Sequence, residues 1–404
     1  MIPSIYQENI YRFFNYEEGN AVISAVAGSG KTTTILELLK SIKLHQTALY
    51  AAFNKSIVEE LEGKFPKRRG IDVKTFHGLG IKYIGSSYPG IKIDPNKFFK
   101  FSKPFESYMR KSHGSKNLPT VMFEFRDMIN SLRNCAINVP FKTGLSTNKI
   151  QKILNEITDI KNYSFDFEFI GYEEDYITAI KILYEMNKNH DSVDFNDMIY
   201  LPVIDDLVKS KIKPYDFVFV DEAQDLNMTQ QYFLDLLVKK HTGRFIAVGD
   251  ESQAIYGFAG ADNASFQKLS SKPNTKKLPL SISYRCCKNV IKYVKAFMPD
   301  IESFEQNIDG IVRVGDVSEI ASKDMALARR NKTLLTTYFE LIKNQKKCYI
   351  KGKDIGEMLI KTIEKSDASD LLQFNSYCVK ELSTIKDKLV EKTGRPDLDS
   401  KKLK

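Results

Sequence analysis

Between Ala21 and Leu39 an apolar run, AVISAV, stops at glycine-bearing AGSG and gives way at Thr32 to residues at helical spacing. That order reads as strand, loop, helix. A strand this apolar along its whole length has two faces to bury, so it demands neighbouring strands and helices on both sides. Thr47–Phe53 and Asp72–Phe76 are predicted as further short strands, and buried strands return at Phe217–Val220 and Phe245–Val248. Apolar strands alternating with helices give an α/β chain built on a parallel sheet. From about Pro95 to Lys188 the texture changes to long amphipathic stretches such as Asn148–Ile160, so a helical insertion is expected there. A third region begins near Leu278 and runs through Ile311–Val314 and Met325–Ala328, which are expected to be strands. The tail from about Leu359 reads as charged helix.

With 404 residues the chain is long enough for two or three cores, since single cores stop growing near ~250–300 residues. No window approaches the ~18 uncharged apolar residues of a membrane helix. The start, MIPSIYQENIYRFF, lacks the basic stretch and apolar core of a secretory signal. Five cysteines without metal-ligand spacing argue against a disulfide framework and point to a reducing, cytoplasmic setting. A net charge of +9 invites a polyanion only weakly, because lysines such as those of IKYVK (291–295) or KKCYIKGK (346–353) read as solvated faces.

The chemistry gathers at strand ends. In Ala25-Val26-Ala27-Gly28-Ser29-Gly30-Lys31-Thr32-Thr33 a glycine loop opens a helix, so backbone N–H groups and the helix dipole can cradle phosphate. Lys31 is placed to reach the β- and γ-phosphates, and Thr32 to offer a hydroxyl to Mg²⁺. The bland alternative is a glycine-rich turn with a surface lysine. In Phe217-Val218-Phe219-Val220-Asp221-Glu222-Ala223-Gln224-Asp225 an apolar strand delivers two carboxylates. Asp221 suits Mg²⁺ and Glu222 suits polarising the attacking water, although an acidic helix start would look similar. In GDESQAIYGFAGA (249–261), Gln253 could hydrogen-bond a γ-phosphate and Phe258 could offer a ring to a base, although composition alone reads rather as a turn with a core aromatic. Tyr284-Arg285, after Leu278–Ser283, can pair a ring for adenine with a cation for transition-state charge, although taken alone the pair reads rather as structural. Cys286 and Cys287 beside them read as packing residues.

Jointly, and in this order over residues 3–340, these segments resemble the UvrD/Rep-type branch of superfamily 1 DNA helicases, nearest its phage-type and F-box-helicase-like members. The resemblance implies RecA-like P-loop NTPase architecture: domain 1A over residues 1–90 and 190–280, and helical insertion 1B over 91–189. A second, incomplete RecA-like domain over 281–375 and a helical tail over 376–404 would follow. It implies ATP and Mg²⁺ as cofactors, and as partner single-stranded DNA or a duplex with a single-stranded tail, tracked 3′ to 5′. Gln7 matches the glutamine that reads adenine, opposite Tyr284. AVAGSGKTT is similar to the family's form of the phosphate loop, alanine at its first position included. Phe53-Asn54-Lys55 and Thr75-Phe76-His77 resemble two DNA-contacting motifs, and Asp194-Phe195-Asn196-Asp197 resembles the segment whose aromatic touches single-stranded DNA. GDESQAIYGFAGA resembles the coupling motif and contributes Tyr256 and Phe258. Arg329-Arg330-Asn331 resembles a later backbone-contacting segment, which puts Asn331 on the DNA path. By the same likeness, Gln253 and Arg285 report the γ-phosphate while ATP sits between two motor domains.

The chain also departs from that pattern. Ser283 replaces the asparagine usual before Tyr284. A T-x-H-x-x-K-G-type segment and a terminal segment with a second catalytic arginine are missing, and Leu382–Lys386 has neither the histidine nor the Lys-Gly. Val379, Leu382, Ile385 and Leu389 instead have helical spacing. The sequence thus reads as the N-terminal two-thirds of a helicase: truncated, split or naturally short. One function expected of it is ATP-driven translocation and strand separation. The other is a non-catalytic or partner-dependent ATP- and DNA-binding module, needing a complementing chain. A small-molecule kinase explains none of the later motifs.

Overall fold

The structure, a computed structural model, describes residues 2–64, 70–140, 144–160, 167–254, 264–328, 331–350, 364–370, 372–381 and 383. The chain divides into two compact units, Met1–Val312 and Arg313–Lys404. In the first unit the chain opens on helix α1 (Ile5–Tyr16), capped by Ser4, and enters β1 (Asn20–Ala25) and α2 (Lys31–Lys40). Strand β2 (Ala48–Ala52), α3 (Lys55–Lys64), β3 (Ile71–Thr75) and α4 (Phe76–Ser87) follow. The two-residue β4 (Lys92–Ile93) then leads into α5 (Lys97–Ser102), α6 (Glu106–His113), α7 (Leu118–Asn134), α8 (Thr147–Ile160) and α9 (Glu173–Lys188). Strand β5 (Ser192–Val193) pairs in parallel with β4, so a short ladder ties together the chain on either side of these helices. After α10 (Asp197–Ile204) and α11 (Asp206–Lys209) come β6 (Phe217–Val220), α12 (Met228–Leu237) and β7 (Arg244–Gly249). Helix α13 (Ser265–Ser270) and β8 (Thr275–Leu280) complete the main sheet.

That sheet has the order β3-β2-β6-β7-β1-β8 and is parallel throughout. Alternate residues of each strand face opposite layers. Val22, Leu49, Val218 and Ala247 pack with Phe76, Phe125, Tyr200 and Phe233 from the α4, α7, α10 and α12 side. Ile23, Tyr50, Phe219 and Val248 pack with Ile10, Phe13, Ile35 and Leu38 from α1 and α2. The first of these cores runs on without a break into the helices of residues 91–189, through Val121, Ile129, Ile153 and Leu183. A buried core phenylalanine such as Phe219 is worth about 3–5 kcal/mol against alanine. Pro279 is accommodated because β8 lies at the sheet edge.

Strand β9 (Ile282–Ser283), α14 (Lys288–Val294) and β10 (Glu302–Ser303) make a small parallel β-α-β unit over Val26, Ile291 and Ile301. In the second unit α15 (Asn331–Lys343) buries Leu341, and the Lys346 Nζ donates to the Ile320 carbonyl at 2.7 Å. Residues 364–366 and 372–381 are helical, and the remainder of the expected tail, from 384 on, lies outside the described residues. The strands expected at Ile311–Val314 and Met325–Ala328 do not form: both stretches are extended coil, with Ile311, Val314, Met325 and Leu327 exposed. A short apolar run becomes a strand only beside a ladder partner, and among the described residues neither stretch has one. No helix among the described residues is long and apolar enough to cross a membrane.

Candidate active site

The loop between β1 and α2 is shaped by two glycines in the left-handed region, Gly28 at φ +73° and Gly30 at φ +85°. Successive amides in such a bend form a concave nest for anions. Gly30 caps α2 without a side-chain acceptor, so the first-turn N–H groups remain available to a ligand. Ser29 Oγ is buried in this loop with no protein partner. Gly28 is also required sterically: a Cβ there would stand 2.5 Å from the Arg285 Cβ.

That contact shows how the Tyr284-Arg285 segment reaches the loop. The Tyr284 N–H donates to the Gly28 carbonyl at 2.9 Å, and Ser283 Oγ donates to the Ala27 carbonyl at 2.8 Å. Ser283, the departure noted in the sequence, is thus a strut under the β1–α2 loop. Asn307 Nδ2 donates to the Ser283 and Cys286 carbonyls at 2.8 Å each, bracing the same turn. The Tyr284 ring lies 4.8 Å from that of Phe304, and Arg285 is exposed. Thr33 is exposed on α2. Gln7 is buried: its Oε1 accepts the Ser4 N–H of the α1 cap, and its Nε2 donates to Thr34 Oγ1 at 3.1 Å.

At the end of β6, Asp221 is buried and Glu222 turns left-handed at φ 50°, a strained conformation for a non-glycine residue. Lys31 Nζ meets Glu222 Oε2 at 2.7 Å, across 191 residues of sequence. Asp221 Oδ1 accepts the Glu222 N–H at 3.0 Å, and Oδ2 accepts the Tyr50 hydroxyl at 2.6 Å. Burial pushes the Asp221 carboxyl above its usual range, aided by the Glu222 charge and opposed by Tyr50 and Lys31. Asp225 is pushed up to about 6, by burial first and then by Glu222. Gln224, unassigned by sequence reading, donates to Glu222 Oε2 at 3.0 Å and accepts the Asp250 N–H at 3.1 Å. It therefore links the ends of β6 and β7. Gln253 Nε2 donates to Asp250, whose carboxyl burial also raises.

Thr32 and Asp221 present hard oxygen donors of the kind Mg²⁺ takes, with phosphate and water completing its shell. Among the described residues no cluster of three or more His, Cys, Asp or Glu could hold a metal by itself. The loop amides, the orphaned Ser29 hydroxyl and Lys31 fit a triphosphate, and the residue set fits the metal bound to it.

Phe53, Phe76, His77, Leu226, Gln230 and Asp221 line a narrow cleft leading from the acidic strand end toward the residues expected on DNA. Burial lowers the His77 pKa, so the ring is neutral at physiological pH. It stands edge-on to Phe195 at 6.4 Å, and Phe195 is 58% exposed. Asn54 and Thr75 have local work: Asn54 Oδ1 accepts the Ile57 N–H at the start of α3, and Thr75 Oγ1 accepts the Gly78 N–H at the start of α4. Tyr256 and Phe258 lie outside the described residues, and Asn331 opens α15 in the second unit.

The Phe195 turn rests on a buried ion cluster that sequence reading missed. Arg133 Nη1, from α7, bonds Asp194 Oδ1 at 2.8 Å and Asp197 Oδ1 at 2.9 Å, while Lys97 Nζ bonds Asp197 Oδ2 at 2.7 Å. Gly80 allows α10 to approach α4, since a Cβ there would overlap the Met198 carbonyl at 1.6 Å.

Against known proteins, residues 7–274 match the UvrD/REP helicase N-terminal domain. The chain is 26% identical over 341 residues to the ATP-dependent DNA helicase Rep of Buchnera aphidicola, covering 79% of this chain and 47% of that protein. It is 24% identical over 292 residues to the ATP-dependent DNA helicase PcrA of Staphylococcus epidermidis, covering 68% and 37%. It is 29% identical over 332 residues to the F-box DNA helicase 1 of Gallus gallus, covering 79% and 30%. The chain thus spans less than half the length of these relatives.

Proposed function

This chain belongs to the UvrD/REP helicase family, and we propose that it carries the ATP-hydrolysing motor of a superfamily 1 DNA helicase or translocase. The observation that supports this best is the convergence of three distant segments, since Lys31 meets Glu222 and the backbone of Gly28 meets that of Tyr284. In this reading the amides of residues 27–33 and Lys31 hold the phosphates, while Gln7 and Tyr284 hold adenine. Thr32 and Asp221 hold Mg²⁺, which when bound neutralises charge on the phosphates. Glu222 orients the attacking water, and Gln253 and Arg285 sense the γ-phosphate. Release of Glu222 from Lys31 as phosphate enters would couple binding to activation of the base.

The DNA path is proposed along Phe53, Asn54, Thr75, His77 and Phe195, with Tyr256 and Phe258 contributing; Asn331 is proposed as a DNA contact in its own right. Bases would stack on the exposed rings, at ~1–3 kcal/mol each, and movement would run 3′ to 5′. Residues 1–90 with 190–280 form domain 1A, 91–189 form 1B, 281–375 begin a second motor domain, and 376–404 form a tail. The small β9-α14-β10 unit supports a second sheet starting there. A bacterial cytoplasm, phage-infected or not, is the setting.

The chain's span relative to its relatives favours a second reading, an ATP- and DNA-binding fragment that turns over only with a complementing segment. ATP turnover against single-stranded DNA of graded length separates the two. Turnover that grows with strand length supports the self-sufficient motor; binding without turnover supports the fragment.

A further inference from the structure

Strand β2 is built of small and aliphatic residues except for Tyr50, which is fully buried at its centre. A phenol placed there must find a partner for its hydroxyl, because a buried donor left unpaired is costly. It finds one: Tyr50 Oη donates to Asp221 Oδ2 at 2.6 Å.

The side chain it touches is one of the proposed magnesium ligands, at the end of β6. Tyr50 comes from the neighbouring strand β2, its ring fixed in the apolar layer with Ile23, Phe219 and Val248. We propose that Tyr50 is a positioning residue that fixes the orientation of the Asp221 carboxylate, and so the magnesium affinity of the nucleotide site. Mg²⁺ demands near-octahedral geometry at about 2.0–2.1 Å, which makes that orientation consequential. The inference rests on the ATP-site reading above.

The test is equilibrium binding of a fluorescent ADP analogue to the full chain, with and without Mg²⁺, for wild type and Tyr50→Phe. Circular dichroism checks the fold, and Tyr50→Met, which also lacks the donor, substitutes if the phenylalanine variant does not fold. The expected result is magnesium-enhanced binding in wild type, with that enhancement cut by about 10-fold or more in the variant. Magnesium-free affinity should be unchanged. Equal enhancement in both proteins overturns the role of Tyr50 while leaving the ATP site standing. Absence of enhancement in wild type overturns the site reading, and the role of Tyr50 with it.

Discussion

Lys31 Nζ lies 2.7 Å from Glu222 Oε2, so the cation at the start of α2 is held by the carboxylate at the end of β6. The pair is partly exposed, with side-chain exposures of 14% and 30%, so it adds little to stability. Under the proposed function, the pair would part as phosphate binds, freeing both members for their roles. Glu222→Gln should leave nucleotide binding and the fold intact while lowering turnover by about 10²-fold or more. Steady-state ATPase alongside nucleotide titration checks this, and undiminished turnover would remove Glu222 from the chemistry.

Asp225 carries a stability prediction. Its carboxyl is raised to about 6 by burial and by Glu222, against about 3.9 in an unfolded chain. The folded state therefore binds the proton more tightly. Stability should fall as pH rises from about 4 through about 6, with the full penalty present above that. Asp225→Asn abolishes the penalty, so the variant should be more stable by ~1–3 kcal/mol at pH 7.5, with that margin cut to about a third near pH 4.5. Chemical denaturation at both values measures the difference; a gap that does not change with pH would contradict it.

Arg133 is buried between two carboxylates, Asp194 and Asp197, with Lys97 on the far side of Asp197. Removing one member of a buried ion cluster strands the remaining charges, and Arg133→Met should cost about 3–5 kcal/mol. An exposed pair such as Lys40–Glu37 offers the contrast, since Lys40→Ala should cost no more than about 1 kcal/mol. Urea denaturation of both variants is the check. Equal effects would mean that the cluster does not anchor the Phe195 turn.

The parts of this molecule legible in the sequence are those written locally. Ala21–Val26, Phe217–Val220 and Phe245–Val248 are continuous apolar runs, and they occupy the buried strands β1, β6 and β7. Lys31, Asp221 and Glu222 were legible because glycine loops and strand-end carboxylates announce themselves by neighbours in sequence. Tyr50 was hidden inside an apolar run, its carboxylate partner 171 residues away. Arg133 was hidden on an amphipathic helix, 61 residues before Asp194. Ser283 and Asn307 likewise brace a turn by contacts no local pattern encodes. Ile311–Val314 misled for the complementary reason: a strand-like sequence lacks meaning without the neighbouring strand.

The central claim, that residues 21–33 and 217–225 form one ATP-hydrolysing centre, is tested most directly by ATP turnover of wild type and Lys31→Ala in the presence of single-stranded DNA. The account predicts DNA-stimulated turnover in wild type and a loss of about 10²-fold or more in the variant, with an unchanged circular dichroism spectrum. Equal turnover in the two proteins would contradict it.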